Sequence, residues 1–186
     1  MRVVTGIYKG RHFEVPRTFK ARPTTDFAKE NLFNVLSGRT ELNGLIALDL
    51  FAGTGSITLE LLSRGCRQVT SVELDRQHHA FIIDCLKKLD VPRERCHVVR
   101  ADALRFIRQA KQQYQFIFAD PPYALKELPE IPDRIFQAKL LAPGALLVLE
   151  HGASNDFSAH RFFLEHREYG SVNFSIFRAD DTGNES

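Results

Sequence analysis

From Leu45 to Leu149, short apolar runs alternate with amphipathic stretches. Leu45-Ile46-Ala47-Leu48-Asp49-Leu50-Phe51 reads as a buried strand, and Ser56 to Arg64 as a helix closed by Gly65. Val69 to Glu73 predicts a second strand and Arg76 to Leu89 a helix stopped before Pro92. His97 to Arg100 is a short strand followed by a helix over Ala103 to Gln112. Phe116 to Ala119 is a strand cut off by Pro121-Pro122, Ile135 to Leu141 lies in a helix, and Ala145 to Leu149 is again a strand. Near-continuous apolar strands separated by helices mean a parallel sheet covered on both faces. The end of the chain differs: Phe162 to Tyr169, Gly170, then Ser171 to Arg178 predicts strand, turn, strand.

The front of the chain has another pattern. Arg2 to Tyr8 and Arg11 to Val15 flank Lys9-Gly10, the mark of a hairpin. A basic loop runs from Arg17 to Pro23, and Thr24-Thr25-Asp26 offers a helix N-cap. Ala28, Leu32, Val35 and Leu36 then fall on one helical face, with Gly38 as its end. The expected organisation is a basic hairpin and helix extension over 1–40, an α/β domain over 41–180 and a frayed polar tail over 181–186.

Composition narrows the class. At 186 residues with 44% hydrophobic and 26% charged residues, the chain is an ordinary globular domain rather than a disordered or fibrous one. Its longest apolar stretch, Leu140 to Leu149, is broken by Pro143-Gly144, far short of the roughly 20 residues of a membrane helix. Met1 to Gly6 lacks the apolar core of a signal peptide. Cys66, Cys85 and Cys96 form no Cys-x-x-Cys pair and read as free thiols of a cytoplasmic protein. The histidines (His78, His79, His151, His160, His166) lack the spacing of a helical zinc site, so no metal is expected. Net charge is only +2, but residues 1–39 hold eight basic against three acidic side chains, leaving 17 against 20 in the rest. A basic front on a mildly acidic body suggests a polyanion docking at one end, and a solvated charged surface is the plainer alternative.

The candidate chemistry sits at strand ends, where open parallel sheets bind ligands. Asp49-Leu50-Phe51-Ala52-Gly53-Thr54-Gly55 is a glycine turn leading into a helix, so its backbone can approach a ligand closely. A dinucleotide site would want a third glycine where Thr58 stands, and Asp49 suits an amine-bearing ligand better. Glu73 ends the second strand and can accept both hydroxyls of a ribose, with Asp75 as cap of the next helix. Asp102 suits both an adenine amino group and a helix cap. Asp120-Pro121-Pro122-Tyr123 says most. Its prolines remove two backbone donors, leaving the Asp120 carboxylate and Pro121 carbonyl as converging acceptors beside the flat face of Tyr123. That set fits a planar group bearing –NH₂, such as a nucleobase.

The glycine turn together with Asp120-Pro121-Pro122-Tyr123 resembles the class I S-adenosylmethionine-dependent methyltransferases, and among them the amino-group N-methyltransferases. Gly6-Ile7-Tyr8-Lys9-Gly10-Arg11, Arg22-Pro23-Thr24-Thr25-Asp26 and Lys29-Glu30-Asn31-Leu32-Phe33-Asn34 are similar to the front of the bacterial 16S rRNA guanine-N2 methyltransferases, the RsmD family. Glu60, Ser63-Arg64-Gly65, Glu73-Leu74-Asp75 and Asp102-Ala103 match as well, so the likeness runs from Arg2 to His151. Thr5, Thr58 and Leu61 depart from the family pattern.

The resemblance implies a Rossmann-like, seven-stranded, mostly parallel sheet with an antiparallel C-terminal strand. It implies a cofactor, S-adenosylmethionine, on Asp49, Phe51, Gly53, Gly55, Glu73, Asp102 and Ala103. It implies catalysis by Asp120, Pro121 and Tyr123, with substrate held by Arg2, Lys9, Arg11, Arg22, Pro122 and Tyr123. The implied partner is 16S rRNA, in the small ribosomal subunit or an assembly intermediate, and a monomer is the default. Arg22 could serve RNA or cofactor. Competing readings are a DNA or other RNA amino-methyltransferase, a dehydrogenase, and a non-catalytic RNA-binding assembly factor. The four acids Asp49, Glu73, Asp102 and Asp120 argue against the last.

Overall fold

The computed structural model describes residues 1–182; the remainder of the tail expected to fray, from residue 183, lies outside the described residues. Helix α1 (Asp26–Ser37) is capped by Thr25, whose hydroxyl accepts the Ala28 N–H at 3.2 Å. Then come β1 (Ile46–Leu50), α2 (Ser56–Ser63), β2 (Gln68–Glu73), α3 (Arg76–Lys88), β3 (Cys96–Arg100), α4 (Ala103–Gln109), β4 (Tyr114–Ala119), α5 (Ile131–Gln137), β5 (Leu141–His151), β6 (Phe163–Tyr169) and β7 (Val172–Arg178). All seven strands form one sheet in the order β3-β2-β1-β4-β5-β7-β6. The first five are parallel, and β7 runs antiparallel to both β5 and β6.

Apolar side chains alternate between the two faces, as strand geometry requires. Phe116 and Phe118 join Leu32, Phe33, Leu36, Leu59 and Ile82 on the side of α1, α2 and α3. Ile117 and Ala119 join Ile107, Ile131 and Ile135 on the side of α4 and α5. The chain turns one way from β1 through β2 to β3 and the other way through β4 and β5. The crevice between β1 and β4 is therefore the topological switch point, where such sheets bind ligands.

Three sequence expectations are revised. The N-terminal hairpin is reduced to a single bridge, Arg2 with His12. The Val4 and Thr5 N–H groups donate to Glu60 at 2.9 and 3.0 Å, and those of Ile7 and Tyr8 donate to Ser63, so these four donors go to α2, while Met1 and Val3 keep backbone bonds to the return segment at Phe13, Gly10 and Arg11. Gly6 makes that approach possible: its φ is +91°, and a Cβ there would lie 1.9 Å from the Ser63 carbonyl oxygen. The fifth helix begins at Ile131 and stops at Gln137, because Lys139 turns left-handed (φ 55°) and releases the chain into β5. That strand runs through Pro143-Gly144 instead of starting after it, with the register shifting between Tyr114 and Phe116 opposite. A strand tolerates proline at such an irregularity.

The N-terminal segment is tied down by buried charge. Lys29, 1% exposed, donates to the Arg2 carbonyl at 2.6 Å and to Ser56 Oγ at 3.1 Å, and lies 3.4 Å from Glu60 Oε2. Glu60, 0% exposed, also accepts from Arg64 Nε at 3.2 Å. Four donors thus converge on one carboxylate, which compensates the cost of burying it.

Candidate active site

A cleft of about 750 Å³ opens at the carboxyl ends of β1, β2, β3 and β4. Its walls include Asp49, Phe51, Gly53, Glu73, Asp102, Ala103, Asp120, Pro121, Pro122 and Tyr123. Residues spread over more than 70 positions of sequence meet here because parallel strands deliver all their carboxyl ends to one rim.

The glycine loop is held in an unusual shape. Phe51, Gly53 and Gly55 all have positive φ (58°, 57° and 78°), and Phe51 is strained there because it carries a Cβ. Gly55 cannot be exchanged for another reason: a Cβ would meet Ile82 Cγ1 at 2.9 Å, wedging α2 from α3. Glu73 secures the loop, its Oε2 accepting the Gly53 N–H at 2.6 Å while Oε1 accepts the Asp75 N–H at 2.9 Å. Each oxygen keeps one lone pair for a ligand. Asp75 and Asp102 both cap helices: Asp75 accepts from the Gln77 and His78 N–H groups, and Asp102 from the Arg105 N–H at 2.9 Å. Asp102 lines the cleft as well, so its two readings are compatible.

Asp49 is 1% exposed. Its Oδ2 accepts the Thr58 hydroxyl at 2.6 Å, and that hydroxyl in turn lies 2.9 Å from Ser71 Oγ. Thr58, a departure from the family pattern in sequence, thus orients the acid of the glycine loop. Burial pushes the Asp49 carboxyl up to about 7 even though the Thr58 bonds pull the other way. Asp120 is raised well above the carboxylate range, first by burial and then by the negative charges of Glu150 and Asp49, and among the described residues no hydrogen-bond donor offsets these effects. Glu150 accepts the Tyr123 hydroxyl at 3.0 Å, and burial lifts its carboxyl to about 7. The cleft therefore concentrates acceptors and negative charge with little compensation, an arrangement suited to a cationic, amine-rich ligand.

Some candidates lie elsewhere. Arg2, Lys9 and Arg11 are not on the cleft wall; Arg2 pairs with Asp26 at 2.9 Å, and Arg11 donates to the Lys88 carbonyl at 2.8 Å. Arg22 does line the cleft, with Lys20, Pro23 and Thr24, and donates to the Phe19 carbonyl at 3.2 Å. Sequence reasoning missed Thr58 and Glu150, and also His78, which lines the cleft. Glu150 could have been found by the rule that singled out the other acids, since it stands at the end of the fifth parallel strand. Among the described residues no group of three or more His, Cys, Asp or Glu could hold a metal ion, and no helix is long and apolar enough to cross a membrane.

A seven-stranded sheet of this order, with a glycine turn after β1, an acid after β2 and an Asp-Pro-Pro-Tyr turn after β4, defines a Rossmann-like, S-adenosylmethionine-dependent methyltransferase. The chain matches the family described as Conserved hypothetical protein 95 over residues 1–178 and belongs to it. It is 30% identical to the Ribosomal RNA small subunit methyltransferase D of Escherichia coli (strain K12) over 190 residues, 98% of this chain and 92% of that one. It is 34% identical to the Putative rRNA methyltransferase YlbH of Bacillus subtilis (strain 168) over 154 residues, 81% of this chain and 82% of that one. Among solved structures, the Putative methyltransferase yhhF from Escherichia coli superposes with a TM-score of 0.84 at 29% identity, covering 97% of this chain and 98% of that one.

The carboxyls of this cleft give a pH prediction. Asp49 and Glu150 have pKa values raised to about 7 in the folded state, so their contribution to stability is full below about 4 and lost as pH rises through about 7, and Asp120, raised as well, acts in the same direction. Without cofactor, the melting temperature should fall from pH 5 to pH 8. A cationic ligand needs the ionised Asp49, so S-adenosylmethionine should bind about tenfold more tightly at pH 8 than at pH 6. Calorimetric titration at the two values checks this, and equal affinities would count against Asp49 as part of the binding site.

Proposed function

We propose that the chain transfers a methyl group from S-adenosylmethionine to the exocyclic N2 amine of one guanine in small-subunit (16S) rRNA, carried by the small ribosomal subunit or an assembly intermediate. Asp120 carries this reading: a half-buried carboxylate on the cleft wall whose charge no donor among the described residues offsets, at the end of the switch-point strand and followed by a carbonyl on a donor-less proline turn. The name of the Escherichia coli relative, Ribosomal RNA small subunit methyltransferase D, supports the RNA.

In this reading the Gly53–Gly55 loop and Asp49 hold the amino-acid end of the cofactor. Glu73 holds the ribose and Asp102 the adenine amino group, with Phe51 and Ala103 completing the walls. The cofactor, when bound, supplies a methyl group made electrophilic by its sulfonium charge.

Everything else falls to the chain. The guanine amine is a poor nucleophile because its lone pair is delocalised into the ring. The amine donates one hydrogen bond to Asp120 and one to the Pro121 carbonyl, which favours a pyramidal nitrogen and turns the lone pair outward. Pro122 and the half-exposed Tyr123 ring offer a surface on which the base can stack. Alignment of this kind contributes at most about 7–11 kcal/mol. The ionised Asp120 then stabilises the positive charge that develops on nitrogen. A base within a helix cannot reach the cleft, so the target is unpaired or extruded.

Residues 1–40 act as a grip on the RNA backbone. With Arg2 and Arg11 engaged by the protein, phosphate contacts fall chiefly to Lys9, Arg17, Lys20 and the Arg22 rim. With about four such contacts, affinity for rRNA should weaken about tenfold or more between roughly 50 and 200 mM salt. A filter-binding series in salt checks the slope.

Labelled S-adenosylmethionine offered to small-subunit particles, protein-free rRNA and DNA, followed by mass spectrometry of the nucleosides, tests the function. N2-methylguanosine at one small-subunit position is the expected product. N6-methyladenosine, N4-methylcytidine or methylated DNA would replace this reading with another.

A further inference from the structure

We propose that Glu150 reads the ring edge of the target base, accepting the N1–H of guanine next to the methylated amine, and thereby sets the base specificity of the site. The inference rests on the guanine reading above.

Ala119 of β4 is level with Leu149 of β5, so Asp120 and Glu150 are the next residues of two neighbouring parallel strands. Side chains in that relation leave the sheet on the same face, side by side. Glu150 is 8% exposed, and one of its oxygens, Oε1, accepts the Tyr123 hydroxyl. The other, Oε2, is fully buried and has no hydrogen-bond partner among the described residues. Buried carboxylate oxygens are rarely left so, because an unmatched acceptor loses its water and regains nothing. An orphan beside the proposed amine acceptor is placed to meet a donor that arrives with the substrate.

Base chemistry says which donor. Beside its amine, guanine carries N1–H, a donor. Beside theirs, adenine and cytosine carry N1 and N3, which are acceptors. A carboxylate therefore attracts the first and repels the other two. Tyr123 covers Glu150. It is half exposed, its ring rests on Gly152, and its described side-chain hydrogen bond is the one to Glu150, so a turn of the side chain opens the carboxylate to the cleft. The same turn presents the ring to the base.

The test uses 2-aminopurine, which keeps the N2 amine of guanine but has an acceptor at N1. Small-subunit RNA is ligated with guanosine or 2-aminopurine riboside at the mapped target position and assembled into particles. Wild type should methylate guanosine with a kcat/KM at least about 100-fold higher. In Glu150→Gln the amide can either donate or accept, so the ratio should collapse to within about tenfold while the Kd for S-adenosylmethionine stays unchanged. Tyr123→Phe removes the hydroxyl but keeps the carboxylate, and should preserve the wild-type ratio. If wild type methylates both bases equally, the N1–H contact is overturned whether or not the variants fold. If Glu150→Gln slows both bases by the same factor, Glu150 only positions Tyr123 and the proposal fails. If wild type forms no N2-methylguanosine at all, the guanine reading itself falls and takes this inference with it.

Discussion

Asp120→Asn is expected to lower kcat for methyl transfer by about 10²–10³-fold while leaving the Kd for S-adenosylmethionine within about threefold. The amide has nearly the shape of the carboxylate, so the loss reports chemistry and not packing. It keeps one acceptor oxygen but replaces the other with an N–H₂ group, and it cannot offset positive charge on the nitrogen. The variant should also be more stable than wild type at pH 8. Ionising Asp120 there opposes folding, because burial and the charges of Glu150 and Asp49 all disfavour the anion. Single-turnover transfer, calorimetric cofactor binding and thermal melting at pH 8 make a set that a folding defect cannot imitate. Equal loss of cofactor binding and turnover would remove Asp120 from the methyl-accepting half of the site.

Glu60→Gln should cost about 3–5 kcal/mol of stability, an effect of a different origin. Glu60 accepts the Val4 and Thr5 N–H groups and faces both Lys29 and Arg64. Neutralising it leaves the Lys29 ammonium buried, where burial already outweighs its neighbours and pulls its pKa down. Urea unfolding should show a lower midpoint, and hydrogen exchange should show residues 1–13 losing protection first. Adding Lys29→Met to the Glu60→Gln chain should recover part of the loss, since it removes the orphaned charge. A cost below about 1 kcal/mol would place the network among surface ion pairs, at odds with its burial.

The elements of the sheet and most of the cleft were legible in the chain because they rest on short-range rules. Period-two and period-3.6 patterns mark β1 to β4 and the helices between them. Caps such as Thr25 and Asp75 declare themselves by position, and both accept the N–H groups expected of them. The boundary before β5 was misplaced because it depends on the left-handed turn at Lys139 and on a sheet neighbour that accommodates Pro143. The hairpin shrank because α2, more than fifty residues away, competes for its backbone donors. Thr58 reads locally as a residue spoiling a glycine motif, and only its 2.6 Å bond to Asp49 gives it a role.

Local chemistry alone therefore determined which acids, glycines and prolines stand at strand ends, since a strand end and its turn are written within a few consecutive residues. Tertiary structure alone decided which of those groups meet. It set Glu150 against Tyr123 and Asp120, drew Lys29 under Glu60, and turned Arg2 toward Asp26 instead of the cleft. The physical reason is that the energy of a buried charge depends on its neighbours in space. For a carboxylate those neighbours are set by sheet register and helix packing, which no window of adjacent residues encodes.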